Sequence, residues 1–355
     1  IILSRKEPFT GILIRYENKK ELTDTIKISS VTSSPGLPVA GFIAAGNFAM
    51  NMLLPAVKKL VSLRGVATAE GNSSLYAGKK FGFGYCTSDY KKILDDREIN
   101  TVFIVTRHNL HATQVIESLK AGKNVFVEKP LAMTPDELAS IRETYSTINP
   151  KPLLMVGYNR RFAPFTSRIR ELFPADQPKS INIRVNAGAV PPGHWVNDPE
   201  TGGGRIIGEA CHFVDLAIYL ANSRVKAVNA FAVGDNRNLM DSFSAVLKFS
   251  NGSTASINYF SNGNKNVPKE QIEVFCAGTV SKIDDFRRME FHGRKSFRLK
   301  SSQDKGHAAE VKAFAEAIKN GLPSPISFEE LYHTSVVIFS IIESIQNGRI
   351  IEIDG

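Results

Sequence analysis

The chain has 355 residues, a formal net charge of +9 and 43% hydrophobic residues. This length suits two domains of ordinary size, each with its own core. Its apolar runs are shorter than the roughly 20 residues that span a bilayer, and no apolar segment of signal-peptide length opens the chain. We therefore expect a cytoplasmic protein without a membrane partner.

Metal and disulfide chemistry find little support in the sequence. The three cysteines lie far apart and in no CxxC spacing, so neither a disulfide framework nor a zinc ribbon is indicated. His108 and His111 form an H-x-x-H pair, but no acidic or thiol residue near them would complete a metal site. We expect no bound metal.

Residues 282–305 contain basic side chains interleaved with phenylalanines. Such a stretch can bind nucleic acid, but the alternation also fits strands with one solvated face, which is the interpretation that we prefer. Anionic sugars or nucleotide sugars as ligands would also account for the net positive charge of the chain. We expect no nucleic-acid partner.

Residues 1–36 contain one strand-like segment, at residues 11–16, and then a polar segment that ends in Ser-Ser-Pro-Gly. This pattern indicates a linker or the tail of an upstream region. The chain is then a fragment of a longer protein.

Short apolar runs alternate with amphipathic segments between residues 37 and 157. The predicted strands are residues 39–45, 66–69, 101–105, 125–127 and 153–156. The predicted helices are residues 110–121, which Gly122 ends, and residues 135–145, for which Thr134 is the N-cap. The alternation predicts an α/β fold with a doubly wound parallel sheet.

The first of these strands leads into a small-residue turn at residues 44–49. The dinucleotide fingerprint is G-x-G-x-x-G/A, in which small residues let the backbone approach a pyrophosphate. Ala44 stands at the first glycine, Gly46 keeps the second, and Ala49 is an allowed third; an ordinary tight turn is the alternative. The predicted cofactor contacts in this turn are Ala45, Gly46, Asn47 and Phe48. Pro55 should kink the helix that follows.

Glu70 is predicted to end the second strand, where an acidic residue binds the adenosine ribose hydroxyls. A solvated loop glutamate is the alternative on spacing alone. Because the carboxylate would repel a 2′-phosphate, NAD is favoured as the cofactor, with NADP left possible.

The end of the fifth strand reads Glu128-Lys129-Pro130. This motif resembles the hallmark of the glucose–fructose oxidoreductase and inositol dehydrogenase (Gfo/Idh/MocA) family. The resemblance covers roughly residues 37–353. It extends to Thr106 with His111, to residues 157–162, to the glycines 202–204 with His212 and Asp215, and to the C-terminal helices.

The resemblance implies a Rossmann domain at residues 37–157 and an α+β substrate domain at residues 158–305. The longer strand-like segments of the second region, such as residues 243–249 and 254–259, fit a mostly antiparallel sheet. Helices in residues 306–355 would return to the first domain. The open sheet face would support a homodimer or tetramer.

Lys129 lies at the carboxyl end of a parallel strand, where ligands bind in open α/β sheets. A lysine there can donate to the oxygen of a carbon that gains or loses hydride, although a surface lysine that caps a strand is the alternative. The resemblance places Thr106, His111, Glu128 and Lys129 at the cofactor. It also implies a cis Lys129–Pro130 peptide.

His212 lies early in an apolar helical run and is the candidate general acid or base. A hydrogen-bonded histidine on a helix face is the alternative. The family commonly has an aspartate four residues earlier, whereas this chain has Gly208 there and Glu209 beside it. Glu209 is a candidate substitute, although it points about 100° away. Asp215 either orients the imidazole or makes a structural contact.

Polar residues after the sixth strand should border the same crevice. The candidate substrate ligands there are Tyr158, Arg160 and Arg161, and Trp195 is a candidate sugar-stacking surface. Ion pairs within the fold for the arginines, and a core position for Trp195, are the alternatives.

The leading hypothesis is hydride transfer between NAD(P) and a hydroxyl or keto carbon of a carbohydrate-like small molecule, namely a sugar, sugar acid or nucleotide-sugar. One alternative is a glycosidase that oxidises, eliminates and re-reduces with tightly held NAD. Another is a dinucleotide-sensing binding protein without turnover. Residues 1–36 resemble the junction in proteins where such a domain follows an alcohol-dehydrogenase-like domain.

Overall fold

The computed structural model describes residues 13, 23–29, 36–234 and 240–353. The strand predicted at residues 11–16 lies outside these residues except for Leu13. Two sheets with surrounding helices form the fold, and the α/β fold-class prediction is confirmed.

The first sheet has seven strands in the order β1-β4-β3-β2-β5-β6-β7. Its strands are β1 (Thr25–Lys27), β2 (Val39–Ile43), β3 (Ser62–Ala67), β4 (Tyr85–Thr87), β5 (Thr101–Ile104), β6 (Asn124–Val127) and β7 (Leu154–Val156). Six strands are parallel, and β1 joins the edge antiparallel to β4. The strand order reverses direction at β2 and β5, so a crevice opens at their carboxyl ends.

Helices cover this sheet and continue through the second half of the chain. They are α1 (Leu54–Val57), α2 (Gly71–Phe81), α3 (Lys91–Asp95), α4 (His111–Lys120), α5 (Pro135–Thr147), α6 (Pro164–Leu172), α7 (Cys211–Ala221), α8 (His307–Asn320) and α9 (Phe328–Asn347). Helix α5 begins with a capping box between Thr134 and Glu137, so the predicted N-cap at Thr134 is confirmed. None of the helices in the described ranges is long and apolar enough to cross a bilayer.

The kink predicted at Pro55 takes a different form. A π-helical turn, Ala49–Leu53, precedes α1, and Pro55 lies in the first turn of α1. Proline is tolerated there because the first amide groups of a helix have no intrahelical acceptor. The structure therefore has a wider, π-helical turn directly before the helix that contains the proline.

The second sheet has nine strands in the order β15-β14-β13-β12-β8-β11-β10-β9-β16. Its strands are β8 (Ser180–Asn186), β9 (Val225–Ala232), β10 (Phe243–Phe249), β11 (Thr254–Phe260), β12 (Glu270–Cys276), β13 (Thr279–Asp284), β14 (Arg288–His292), β15 (Phe297–Lys300) and β16 (Ile351–Glu352). All neighbours are antiparallel except β8 and β11. The basic stretch 282–305 contains the end of β13 and the strands β14 and β15, as the preferred interpretation predicted, together with the turns between them and the loop after β15.

Helix α8 ties the C-terminal part of the chain to the first sheet. The ring of Phe314 lies 6.1 Å from Phe103 on β5 and 5.8 Å from Phe126 on β6, measured between centroids. All three rings are fully buried. The core of the first sheet is thus completed by a residue from the far end of the chain.

Candidate active site

A cleft of about 780 Å³ lies at the carboxyl ends of β2, β5, β6 and β7. Parallel strands present ligand-binding loops at this edge. From the first half of the chain, the cleft is lined by Ala44, residues 46–49, residues 105–108, Glu128, Lys129, Gly157, Asn159 and Arg160. From the second half, it is lined by Trp195, Glu209, His212, Lys269 and His307. Residues that are far apart in sequence thus share one cavity.

The turn after β2 has a left-handed residue and open space beside its backbone. Ala44 has φ +73°, a left-handed conformation that costs an alanine about 1–2 kcal/mol and a glycine little. A Cβ at Gly46 would meet no heavy atom within 4 Å, so space lies open beside that backbone. The position of the fingerprint's first glycine is therefore recognisable from its conformation, although an alanine occupies it.

Glu128 presents a buried polar atom to the same cleft. Among the described residues, its Oε1 has no hydrogen-bond partner. Burial, only partly opposed by the Lys129 charge, raises its pKa to about 7. A Cβ at position 157 would lie 2.8 Å from Oε1, so Gly157 leaves this carboxyl its room. A hydroxyl or amide donor of a bound dinucleotide fits this unsatisfied acceptor.

Thr106 and His111 organise the loop edges next to the cleft. Thr106 lines the cleft, and its Oγ1 donates to Gln114 Oε1 at 2.8 Å. Fully buried His111 donates from Nδ1 to the Pro130 carbonyl at 2.7 Å, and its Nε2 lies 3.2 Å from the Thr106 carbonyl. His111 therefore connects the ends of β5 and β6 and lies behind the lining of the cleft.

Glu70 and Ala45 do not line the cleft. Strand β3 ends at Ala67, and exposed Glu70 is the N-cap residue of α2. Its predicted contact with a ribose stays a prediction.

Lys129 joins the two halves of the site. Its Nζ donates to the backbone carbonyl of Gly208 at 2.8 Å. The Lys129–Pro130 peptide is cis, as the resemblance implied. An ammonium group has three donors, so two remain for other acceptors in the cleft.

His212 lies in the first turn of α7 and lines the cleft. Its Nδ1 is buried and has no hydrogen-bond partner within the described part of the chain. Burial, with the charges of Arg160 and Lys129 nearby, lowers the pKa of the imidazole well below 6.5. The ring is therefore neutral at neutral pH and can accept a proton.

Glu209 is held as an anion at the rim of the site. Its Oε2 accepts hydrogen bonds from the Tyr259 hydroxyl and, at 3.2 Å, from Arg205. Burial would raise its pKa, but the positive charges of Arg205 and Lys129 prevail and lower it to about 2. Such a carboxylate balances positive charge more readily than it exchanges protons.

Gly208 packs against His108. A Cβ at Gly208 would lie 2.6 Å from Cε1 of His108, so any larger residue would collide with the ring. His108 is itself buried and donates from Nδ1 to the Gly202 carbonyl at 2.8 Å. The imidazole therefore occupies the space that a side chain at position 208 would need.

The two arginines after β7 are bound to carboxylates. Arg160 donates to both oxygens of Glu270, at 2.9 and 3.0 Å, and still lines the cleft. Arg161 donates to both oxygens of Asp215, at 3.0 and 2.5 Å, and does not line it. Asp215 thus makes the structural contact that was the alternative to orienting His212. Tyr158 is 1% exposed and packs edge-on against His212, with ring centroids 6.4 Å apart.

Trp195 forms part of the cleft wall. Its ring packs edge-on against His108, with centroids 4.8 Å apart, and Arg107 lies 5.4 Å from the ring centroid on its face. These contacts hold the indole in the wall of the cleft.

Sequence reasoning overlooked four charged or titratable residues that line the cleft, namely Arg107, His108, Lys269 and His307. His108 was considered only as half of a metal pair, and the described residues contain no group of three or more potential metal ligands. Lys269 directly precedes β12, and His307 is the first residue of α8. No recognisable sequence motif surrounds either residue. Only the folded arrangement reveals these two.

Comparison with known families matches both halves of the chain. Residues 39–158 match the oxidoreductase family with an NAD-binding Rossmann fold. Residues 176–281 match the GFO/IDH/MocA C-terminal domain. The two matched segments include the loop after β2, Lys129 and His212.

Individual relatives are oxidoreductases of low sequence identity. The uncharacterized oxidoreductase YrbE of Bacillus subtilis is 30% identical over 49% of this chain and 52% of its own length. The levoglucosan dehydrogenase of Pseudarthrobacter phenanthrenivorans is 30% identical over 46% of this chain and 44% of its own. The myo-inositol 2-dehydrogenase of Thermotoga maritima is 25% identical over 78% of this chain and 86% of its own. The chain thus spans about half the length of the first two relatives.

Solved structures share the whole fold. Levoglucosan dehydrogenase in complex with NADH and levoglucosan superposes with a TM-score of 0.78 at 21% identity, covering 90% of this chain and 100% of the other. An aldose-aldose oxidoreductase from Caulobacter crescentus also gives 0.78, at 19% identity, covering 89% and 100%. With a Rossmann sheet, a second open sheet and both domain types matched in order, this chain belongs to the GFO/IDH/MocA family of oxidoreductases, whose N-terminal domain binds NAD.

Proposed function

We propose that the protein transfers hydride reversibly between NAD(H) and a hydroxyl or keto carbon of a sugar, sugar acid or nucleotide-sugar. One observation carries the proposal. A single cleft of about 780 Å³ contains the dinucleotide loop, Lys129 and His212. A cofactor on that loop and a substrate at those two side chains would therefore lie next to each other.

Bound NAD would supply the hydride acceptor, and the unsatisfied Oε1 of Glu128 and the open backbone at Gly46 fit such a ligand. In the oxidation direction, Lys129 donates a hydrogen bond to the reacting oxygen and favours its anionic form. His212 is neutral and removes the hydroxyl proton. In the reduction direction, the same imidazole returns the proton.

The surrounding residues hold these two groups in place. The Gly208 carbonyl fixes the Lys129 ammonium at 2.8 Å, and Tyr158 packs against the His212 ring. The Glu209 carboxylate offsets the positive charge of the lysine without competing for the substrate proton. Positioning of this kind lowers the entropic barrier to the reaction.

The names of the relatives support a polyhydroxylated substrate. They include dehydrogenases of levoglucosan and of inositol, and a 1,5-anhydro-D-fructose reductase. Trp195 at the cleft offers an aromatic face of the kind on which sugar rings stack.

The first test is a fluorescence titration of the purified protein with NADH and NADPH in parallel, followed by a screen of sugars for NADH formation. We expect NADH to bind more tightly than NADPH, and the Glu70→Ala variant to reduce that difference because a 2′-phosphate is no longer repelled. Nucleotide-free, folded protein that binds neither would refute the proposal. Copurified NAD with glycoside cleavage and no net NADH would instead support the redox glycosidase.

A further inference from the structure

A second cavity, of about 620 Å³, lies beside the catalytic cleft, and we call it the basic cavity. Its lining comes from the end of β8, the loop before β12, and strands β13 to β15. The charged residues that line it are Lys265, Lys269, Asp284, Asp285, Arg287, Arg288 and Lys300. Lys269 lines both this cavity and the catalytic cleft, so the two are adjacent.

Positive charge in the basic cavity exceeds what its own carboxylates can pair. Arg288 binds Asp284 at 2.5 Å, and Arg287 lies 3.8 Å from Asp285. Within residues 36–234 and 240–353, the ammonium groups of Lys265, Lys269 and Lys300 form neither an ion pair nor a hydrogen bond, although the charges of Glu209 and Glu270 act on Lys269 from a longer distance. Three ammonium groups that no close ion pair holds, around one cavity, favour an anionic occupant.

The loop that carries Lys265 and Lys269 is fixed to the sheet. Asn186 Nδ2 donates to the carbonyls of Asn264 and Val267, at 2.7 and 3.0 Å. Arg184 donates to the Pro268 carbonyl at 2.6 Å. These bonds from β8 hold the backbone of the loop in place before any ligand arrives, which lowers the entropic cost of binding.

We propose that the basic cavity binds a phosphate or diphosphate group that is attached to the reacting sugar. This inference rests on the proposed function and narrows its substrate class to phosphorylated sugars. The reacting hydroxyl lies at Lys129 and His212, and Lys269 contacts the anion where the two cavities meet. Lys265 and Lys300, which line the basic cavity and not the catalytic cleft, bind the anion on its far side. The volume exceeds the needs of one carboxylate and suits a diphosphate with part of what it carries.

The test is calorimetric titration of inorganic pyrophosphate into protein saturated with NADH, so that the dinucleotide loop is already filled. Wild-type protein binds pyrophosphate, and the double variant Lys265→Gln/Lys300→Gln binds it at least about tenfold more weakly because two charge-assisted contacts are lost. The control, Lys248→Gln/Lys319→Gln, removes the same charge from exposed sites elsewhere and leaves affinity unchanged. Absence of binding, or equal affinity in both double variants, overturns the inference.

Two further ligands distinguish the sources of the anion. With NADH bound, tighter binding of UDP-glucose than of glucose 1-phosphate identifies a nucleotide-sugar, and the reverse order identifies a sugar phosphate. D-glucuronate that binds as tightly as either, with the same loss in Lys265→Gln/Lys300→Gln, would refute the phosphate assignment.

The experiments distinguish failure of the proposed function from failure of the anion-site inference. If NADH does not bind, the same pyrophosphate titration without NADH still compares the two double variants. A difference in pyrophosphate affinity between the two double variants would then support the anion site, while the missing NADH binding would refute the dehydrogenase function. Thermal unfolding of each variant confirms that it is folded.

Discussion

The ammonium group of Lys129 lies 2.8 Å from the backbone carbonyl of Gly208 and donates a hydrogen bond to it. The lysine follows a strand of the first sheet, and the glycine lies in the turn before α7, which packs on the second sheet. The side chain that we propose polarises the substrate is therefore aimed by an element from the other half of the protein.

Replacement of this lysine should abolish turnover without abolishing cofactor binding. We expect Lys129→Ala to lower kcat by about 10²–10⁴-fold, the usual contribution of a positioned proton donor. The dissociation constant for NADH should change by only a few-fold. Exposed Lys120→Ala, at the end of α4, is the control. If the alanine variant retains full turnover, Lys129 is not catalytic.

Gly208 should not tolerate a side chain, because His108 occupies the space. In Gly208→Ala the new Cβ would lie 2.6 Å from His108 Cε1, and overpacking of this kind costs about 1–3 kcal/mol. The double variant His108→Ala/Gly208→Ala should recover part of that loss. Urea denaturation of both single variants and the double variant measures the coupling; strictly additive effects would show that the two residues do not compete for space.

The pH profile of oxidation should reflect a neutral His212. Burial, with Arg160 and Lys129 nearby, lowers the pKa of this imidazole well below 6.5. Loss of activity through its protonation should therefore begin only below pH 6.5, and kcat/KM should show no histidine limb between pH 6.5 and 8. Steady-state rates across pH 5–9 test this, and a limb centred near pH 7 that disappears in His212→Gln would contradict it.

Glu128 should make the cofactor-free protein less stable as pH rises from about 4.5 to about 7. Burial raises its pKa in the folded state from 4.5 to about 7. Below pH 4.5 the carboxyl is protonated in both the folded and the unfolded state, so it does not lower the free energy of unfolding. Between the two values only the unfolded state releases the proton, so the free energy of unfolding falls by up to about 3 kcal/mol.

Glu128→Gln should remove this loss. Its stability relative to wild type should increase from pH 4.5 to 7 and stay constant above that range. Urea denaturation at several pH values measures the difference. The exposed Glu200→Gln should show no such trend, and a difference for Glu128→Gln that does not depend on pH would contradict the burial argument.

Ala44→Gly should stabilise the protein. The alanine has φ +73°, and relief of that strain outweighs the greater chain entropy of glycine by roughly 0.5–1 kcal/mol. NADH affinity should stay the same or increase, because glycine adopts the left-handed conformation at position 44 without strain. Thermal unfolding with NADH titration checks both, and Ala49→Gly, inside the π-helical turn, should destabilise instead.

Much of the first domain was predictable because its signals are local. Continuous apolar runs mark the buried strands β2, β5 and β6. The small residues in the segment 44–49 indicate the turn after β2. Strands β1 and β4 were not predicted, since their three residues, Thr-Ile-Lys and Tyr-Cys-Thr, do not form a continuous apolar run, whereas the equally short β7 does.

The candidate site was harder to predict because partners come from distant positions. The carboxylates that bind Arg160 and Arg161 lie 110 and 54 residues away in sequence. No spacing rule could decide between substrate contact and ion pair for these arginines. The collision that keeps position 208 a glycine likewise depends on His108, which belongs to the other half of the chain.

The contact of Phe314 with Phe103 and Phe126 has a consequence for how the protein is made. A ribosome releases all seven strands of the first sheet long before it reaches α8. Until then, the parts of Phe103 and Phe126 that Phe314 covers are exposed to water, so the first domain is an incomplete and aggregation-prone intermediate. The second sheet is thus synthesised while the core of the first sheet still lacks Phe314. A truncated chain that stops before α8 should therefore be a substrate for chaperones and proteases.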